Sequence, residues 1–380
     1  MARNKIFLAS RQSQSAVPAV STSKRPCKSG PFFVAAYQRF SVLMCMVLVA
    51  NVNRFVLGEQ QPRYSVMETD DRITVVTPHL ELAIQKRGYV SGIAAQSFVD
   101  RKTGFRDAGF GLDIVDWLME PGSDESYRNT LPPDLVYQFN NLYHGQIPKR
   151  SIEGPQICTK AGELHPRVVR GKDFVAIQQE FQYYLAAPGK NAGSLWRQWI
   201  VIPCDTRYVF SMDSVETVND SPALFLRIDM PGHIRHKNGD IFDLIYLSYF
   251  GFIPAKEFFE DFPPDARFRY FRGEQPLPDR FIRAYRLRDP ETGAQGPWLA
   301  GMTLDPAVVY DAWCHQRGYV CMIEEIGGYP IKAGQTFSAA FIVGYFDTIG
   351  EMIMTYDRYA GARAIEVDES VPQWRLMPTQ

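Results

Sequence analysis

The chain has 380 residues, 41 basic and 42 acidic side chains and a formal net charge of −1. With no basic surplus and no acidic block, neither a nucleic-acid partner nor a solvated acidic tail is expected. The length allows one large domain or two small ones.

The first 39 residues are rich in Ser, Lys and Arg and contain no acidic residue. They lead into the apolar run 40–50, preceded by Lys24, Arg25, Lys28 and Arg39. That run has the length of a secretory-signal core and is too short to cross a bilayer as a helix. A cleavage point follows at Val56-Leu57-Gly58, and the first acidic residue is Glu59. The expected organisation is a basic N-terminal region plus secretory signal over 1–58, then a single β-sandwich domain over 59–380. The mature protein is expected to be secreted or periplasmic, with no stable membrane span after signal cleavage.

Past Tyr64, strand-like runs alternate with turns. Runs 72–77 and 80–84 read as short strands split by Pro78. Run 174–184 is long and β-rich. Runs 196–202 and 207–215 flank a turn at 203–206 and predict a β-hairpin. Further strands are expected at 224–229, 319–323 and 336–345, with turn material at 327–334. Residues 263–290, rich in Pro and Arg, read as a surface excursion. Helical signals are few. Ile349, Met352, Ile353 and Tyr356 have helical spacing, with Asp347 as N-cap. Short helical turns are expected at 254–259 and 305–313. The 13% aromatic content and 26 prolines favour an all-β, large antiparallel β-sandwich with a few short helices. No internal repeat, strand-linked G-x-G-x-x-G or P-loop is present, so no cofactor is implied.

Beyond the export segment lie Cys158, Cys204, Cys314 and Cys321. An even count in an exported chain permits two disulfides, and a two-residue turn at Arg317-Gly318 would set Cys314 opposite Cys321. Buried free thiols are the alternative.

The segment from Gly318 to Glu325, followed by Pro330-Ile331-Lys332-Ala333-Gly334-Gln335-Thr336-Phe337, resembles the closing strands of galactose-mutarotase-like β-supersandwich domains. The hairpin over 196–215 is similar to the central strands of the same architecture. The resemblance spans about residues 70–360 and implies carbohydrate recognition on the concave face of the larger sheet. Its members include aldose epimerases, domains of polysaccharide lyases and glycosidases, and domains without catalysis. The epimerase's His-bearing motifs are not evident, and Gln335 stands where the Gly-Glu-like pair would have Glu. Both departures argue against simple mutarotase activity.

Four constellations carry chemistry suited to sugars, whose hydroxyls need directed donors and acceptors beside an aromatic face. Asn140, Asn141, Tyr143 and His144 form the first, with His144 as a base and Tyr143 as an acid. The second is a turn-rich rim from Asp229 to Asp240, in which His233, Arg235 and His236 suit an anionic sugar. Asp229, His233, His236 and Asp240 have loose metal-ligand spacing, and no metal is expected. In the third, Trp313, His315 and Arg317 share a strand face, followed by Glu324 and Glu325 on opposite faces, one of them facing solvent. In the fourth, Arg283 and Tyr285 share a face able to meet a polyuronide, or else belong to a charged edge strand. Asn219-Asp220-Ser221 matches a glycosylation sequon followed by Pro222 and carries little weight.

The leading expectation is a secreted protein acting on an acidic polysaccharide by β-elimination, in the manner of a polysaccharide lyase. His144 or His315 would be the base, Tyr143 the acid, and Arg235 or Arg317 the neutraliser of the carboxylate. Asn141, His233, Arg235, Arg283, Tyr285, Trp313 and Glu324 would bind substrate. The alternative is a non-catalytic carbohydrate-binding sandwich. A weaker third reading is a two-carboxylate hydrolase pairing Glu324 with Asp213 or Asp229.

Overall fold

A computed structural model describes residues 63–90, 92–107, 109, 111–136, 148–236, 241–264 and 266–378. The signal-like run 40–50 and the constellation of Asn141, Tyr143 and His144 lie outside the described residues. Among the described residues no helix is long and apolar enough to cross a membrane.

Two large antiparallel sheets form the molecule. One has nine strands in the order Gly251–Pro254, Phe242–Leu247, Phe281–Arg288, Gln295–Thr303, Thr336–Phe346, Tyr208–Glu216, Leu195–Pro203, Phe174–Gln182, Arg167–Arg170. The other has seven: Leu185–Ala186, Lys149–Gly154, Ile114–Pro121, Ser221–Arg235, Tyr319–Ile331, Val309–Gln316, Tyr270–Phe271. A four-stranded sheet includes the hairpin Arg72–Val76 and Leu80–Gln85. The all-β sandwich expected from the sequence is the observed architecture, and the central hairpin pairs antiparallel as expected.

The central strands of the nine-stranded sheet are buried on both faces. Ile200, Ile202, Val209, Val215, Phe341 and Val343 pack into the sandwich interior. Their neighbours Val201, Phe210, Met212, Ala340 and Ile342 pack outward under the helix Ile349–Tyr359 and the hairpin Ala362–Asp368/Gln373–Pro378. Double coverage explains the unbroken apolar runs in these strands. The helix is capped by Thr348, not Asp347: the Glu351 amide donates to Thr348 Oγ1 at 3.1 Å. Such a cap contributes about 1 kcal/mol. Full burial of Met352 and Tyr356 contributes about 1.5–3 kcal/mol each, so packing outweighs the cap.

Three local expectations change. The strand begun at 224–229 runs on to Arg235, because Pro231 and Gly232 make a bulge rather than a stop. The register shifts by two residues there, from Asp229↔Ile323 to His233↔Cys321. The strand at Tyr319 continues to Ile331, with Gly327 and Gly328 at positive φ inside it, so the turn shrinks to its last few residues. The segment 305–313 is a single 3₁₀ turn, Pro306–Val308, followed by strand Val309–Gln316.

All four described cysteines are free and buried. Cys314 pairs with Met322, and Cys321 with His315. The connecting loop is one residue longer than a two-residue turn, and that single step sends Cys314 and Cys321 to opposite faces of the sheet. Asn219 is buried and donates to Glu153 Oε1 at 2.8 Å and Asn191 O at 2.7 Å, so the sequon amide is already engaged.

Candidate functional site

The outer face of the seven-stranded sheet carries a cavity of about 280 Å³. Its floor comes from strands Ile114–Pro121, Ser221–Arg235, Val309–Gln316 and Tyr319–Ile331. Tyr89, Gln156, Cys158 and Thr159 wall it from the loops and the short helix Ile157–Lys160. On the floor, alternate residues of each strand turn to the cavity while their neighbours enter the sandwich interior. Thus Arg227 and Asp229 line it beside inward-facing Leu226 and Met230.

Strand pairing sets His233, Cys321 and His315 in one row across three strands, and Arg235 opposite Tyr319 in the next. His233 Nε2 is hydrogen-bonded to Asp229 Oδ2, and its ring lies 5.3 Å from that of Tyr319. His315 Nδ1 is buried without a partner among the described residues, and burial pushes this imidazole down to about 4. Burial pushes Asp116 up to about 6, partly opposed by the Arg227 charge, and Gln156 Nε2 donates to its Oδ1. The Cys321 thiol is raised by burial.

Beneath the cavity, Arg227 gives Nε and Nη2 to Glu325 Oε1 at 3.2 and 2.7 Å. Its guanidinium lies 5.3 Å above the Trp313 ring. Glu325 also holds Lys149 at 2.5 Å, while Arg269 forks onto Asp311 at 2.9 and 2.6 Å. Each of these buried charges stands against one of opposite sign, which is the condition for burying them at all.

The structure therefore brings together His233, His315 and Arg317 of the expected residues, with exposed Arg235 beside them. Others lie elsewhere. Trp313 is fully buried beneath Arg227 and does not line the cavity. His236 is buried and stacks on Phe242 at 3.8 Å. The alternation read for 281–288 holds, but the face carrying Arg283 and Tyr285 enters the sandwich interior, so neither reaches a ligand there. Glu324 joins them: it takes Thr303 Oγ1 at 2.7 Å and lies 3.1 Å from Arg283 Nη2. Glu324 and Glu325 do occupy opposite faces, yet neither faces solvent, because both sheet faces are covered there.

Asp213, read from the sequence as a carboxylate partner for Glu324, belongs to an interior cluster with Trp196, Gln198 and Asp113. Asp213 Oδ1 accepts from Trp196 Nε1 at 2.8 Å and Gln198 Nε2 at 3.2 Å. Asp113, in left-handed backbone at φ 60°, accepts from the same amide at 3.0 Å and from Ser211. Burial raises both carboxyls, Asp213 further because Asp113 stands against it, so the proton between them belongs to Asp213.

Asp116, Gln156 and Tyr89 were also missed at the cavity. A signal existed for Asp116: a lone carboxylate inside the apolar run 114–119. Larger in volume is a cavity of about 430 Å³ near Phe105, Asp107 and Leu287. Its buried carboxyl, Asp107, is consumed by the Gln96 and Phe98 amides at 2.6 and 2.9 Å, leaving it poorer in reactive groups.

No protein-family model and no curated protein matches the sequence. Several solved structures are similar to the chain. A putative aldose 1-epimerase from Escherichia coli K12 is 10% identical, with 75% of this chain and 100% of that chain covered and a TM-score of 0.35. A galactose mutarotase-like protein from Clostridium acetobutylicum is 9% identical, with 75% and 98% covered and a TM-score of 0.36. A galactose 1-epimerase from Lactobacillus acidophilus NCFM is 8% identical, with 75% and 98% covered and a TM-score of 0.37.

Proposed function

We propose that the chain is an exported carbohydrate-active protein whose cavity seats one anionic sugar residue of a polysaccharide and promotes β-elimination there. The observation that carries this reading is the meeting of two imidazoles, two tyrosines, two arginines and two carboxyls in one cavity of about 280 Å³. That volume is near the lower end of small-molecule sites, about 300–1,000 Å³, and suits one ring rather than several. Arg317, in the loop between strands Val309–Gln316 and Tyr319–Ile331, lines the cavity and Arg235 lies opposite Tyr319, so a carboxylate at the mouth meets positive charge from a loop and a strand.

In the elimination, Arg317 neutralises the sugar carboxylate so that enolate-like charge forms on it. Asp116 takes the proton from the adjacent carbon. The electron pair left behind forms the carbon–carbon double bond, the carbon–oxygen bond to the next sugar breaks, and Tyr319 gives its proton to the departing oxygen. His315, uncharged near neutral pH, hydrogen-bonds a ring hydroxyl.

A binding-only reading is favoured by one observation. Arg227 and Asp229, the most buried charges of the site, are already held by protein partners. Incubation with a panel of uronate polymers separates the two, read by the ultraviolet absorbance of the new double bond. The elimination reading predicts product from at least one polymer and a loss of about 10²–10⁴-fold in Asp116→Asn and Tyr319→Phe. Saturable binding with no product establishes the binding-only role, and neither binding nor product on any polymer rejects both.

A further inference from the structure

The structure assigns a zinc-class divalent metal site to Asp229, His233 and Cys321, opening into the cavity. One oxygen, one nitrogen and one sulfur donor lie within 4.8 Å of one another. Tetrahedral zinc, with bonds of about 2.0–2.3 Å, sets its ligand atoms about 3.5 Å apart. Side-chain rotation of about an ångström therefore closes the set around an ion. The strand geometry supports that closure. His233 and Cys321 are direct cross-strand partners, and the bulge between Asp229 and His233 presents both on the cavity face.

A second observation points to a ligand. Asp229 is 5% exposed, and its Oδ1 is buried with no partner among the described residues. Burying such an atom unpaired is costly unless something else satisfies it. On the other side of Cys321, His315 presents a second buried nitrogen in the same condition.

The donor chemistry selects the ion. A thiolate with an imidazole and a carboxylate suits zinc and its borderline neighbours, whereas calcium and magnesium require oxygen sets. Thiolate and carboxylate together carry two negative charges, which balance a dication in a buried setting. On binding, the ion takes the place of the proton shared by His233 Nε2 and Asp229, the imidazole proton resides on Nδ1, and Cys321 releases its proton to solvent. Three protein ligands leave the fourth position open toward the cavity, as in zinc sites that hold water or substrate. The assignment does not depend on what sugar the cavity takes, since the metal alone is the probe.

The test is titration of chelator-treated full-length protein with Co²⁺, followed by Zn²⁺. The expected result is one equivalent of Co²⁺ with visible bands of a tetrahedral site and a near-ultraviolet thiolate-to-cobalt band, both abolished by Zn²⁺. Cys321→Ser is expected to lose the thiolate band, and His233→Ala to weaken Co²⁺ binding by at least tenfold. Cys314→Ser, whose thiol is on the opposite face of the sheet, is expected to keep the spectrum. Folding of each variant is read by circular dichroism. Absence of the thiolate band in folded wild-type protein overturns the assignment. So does its persistence in Cys321→Ser or its loss in folded Cys314→Ser.

Discussion

Asp213 shows how much a single proton decides. Its carboxyl is raised by burial and by Asp113, and a group raised in the folded state stabilises the fold below its unfolded value, about 3.9 for Asp. That stabilisation is lost as the pH climbs through the folded value. Asp213→Asn keeps an oxygen for Trp196 and Gln198 and turns an amide N–H toward Asp113, where the proton stood. Relative to wild type, the Asn variant should therefore gain stability as pH rises above about 4, by at most about 1.4 kcal/mol per pH unit while the folded carboxyl stays protonated. Asp213→Ala, which strands both donors, should cost about 1–3 kcal/mol. Urea denaturation between pH 4 and 8 checks both, and parallel pH profiles for wild type and the Asn variant would remove the shared proton from the account. The charged residues inside apolar strands (Asp116, Arg227, Asp229) were visible in the sequence as anomalies. The partners of Asp116 and Arg227 were not, because Gln156 and Glu325 reach them from segments far away along the chain.

At the level of elements, strand alternation was legible and strand continuation was not. The faces of Phe281–Arg288 follow the expected two-residue period, but period alone does not say which face is covered. Packing of the two large sheets against each other turned Arg283, Tyr285 and Glu324 from ligand-facing into interior residues. The Pro-Gly pair at 231–232 looked like a strand end and is a bulge. Gly232 sits there at φ +105°, with Gly111 O 2.8 Å from where a Cβ would be. Gly109 bridges Ile234 beside it, and a Cβ on Gly109 would stand 1.4 Å from His233 O. Gly109→Ala must therefore push the His233 segment off its register. The expected outcome is weakened ligand binding with secondary structure retained, measured by calorimetric titration alongside circular dichroism. Unchanged affinity in that variant would show that the bulge does not position the site.

For the molecule as a whole, apolar runs, turn residues and few helical periods sufficed to indicate a large antiparallel sandwich. The site was half legible, since it is assembled where four strands lie side by side, and cross-strand neighbours such as His233, Cys321 and His315 are separated by a long stretch of chain in one direction and a hairpin in the other. The outer cavity of the seven-stranded sheet is proposed to receive an anionic sugar. Isothermal titration of a uronate oligosaccharide into wild type, Arg317→Ala and His315→Ala tests it, with the matching uncharged oligosaccharide as comparison. Expected are saturable binding of the uronate that weakens as salt rises, at least tenfold weaker binding in both variants, and weaker binding of the uncharged sugar. Equal affinity in all three proteins, or no preference for the charged sugar, would contradict it.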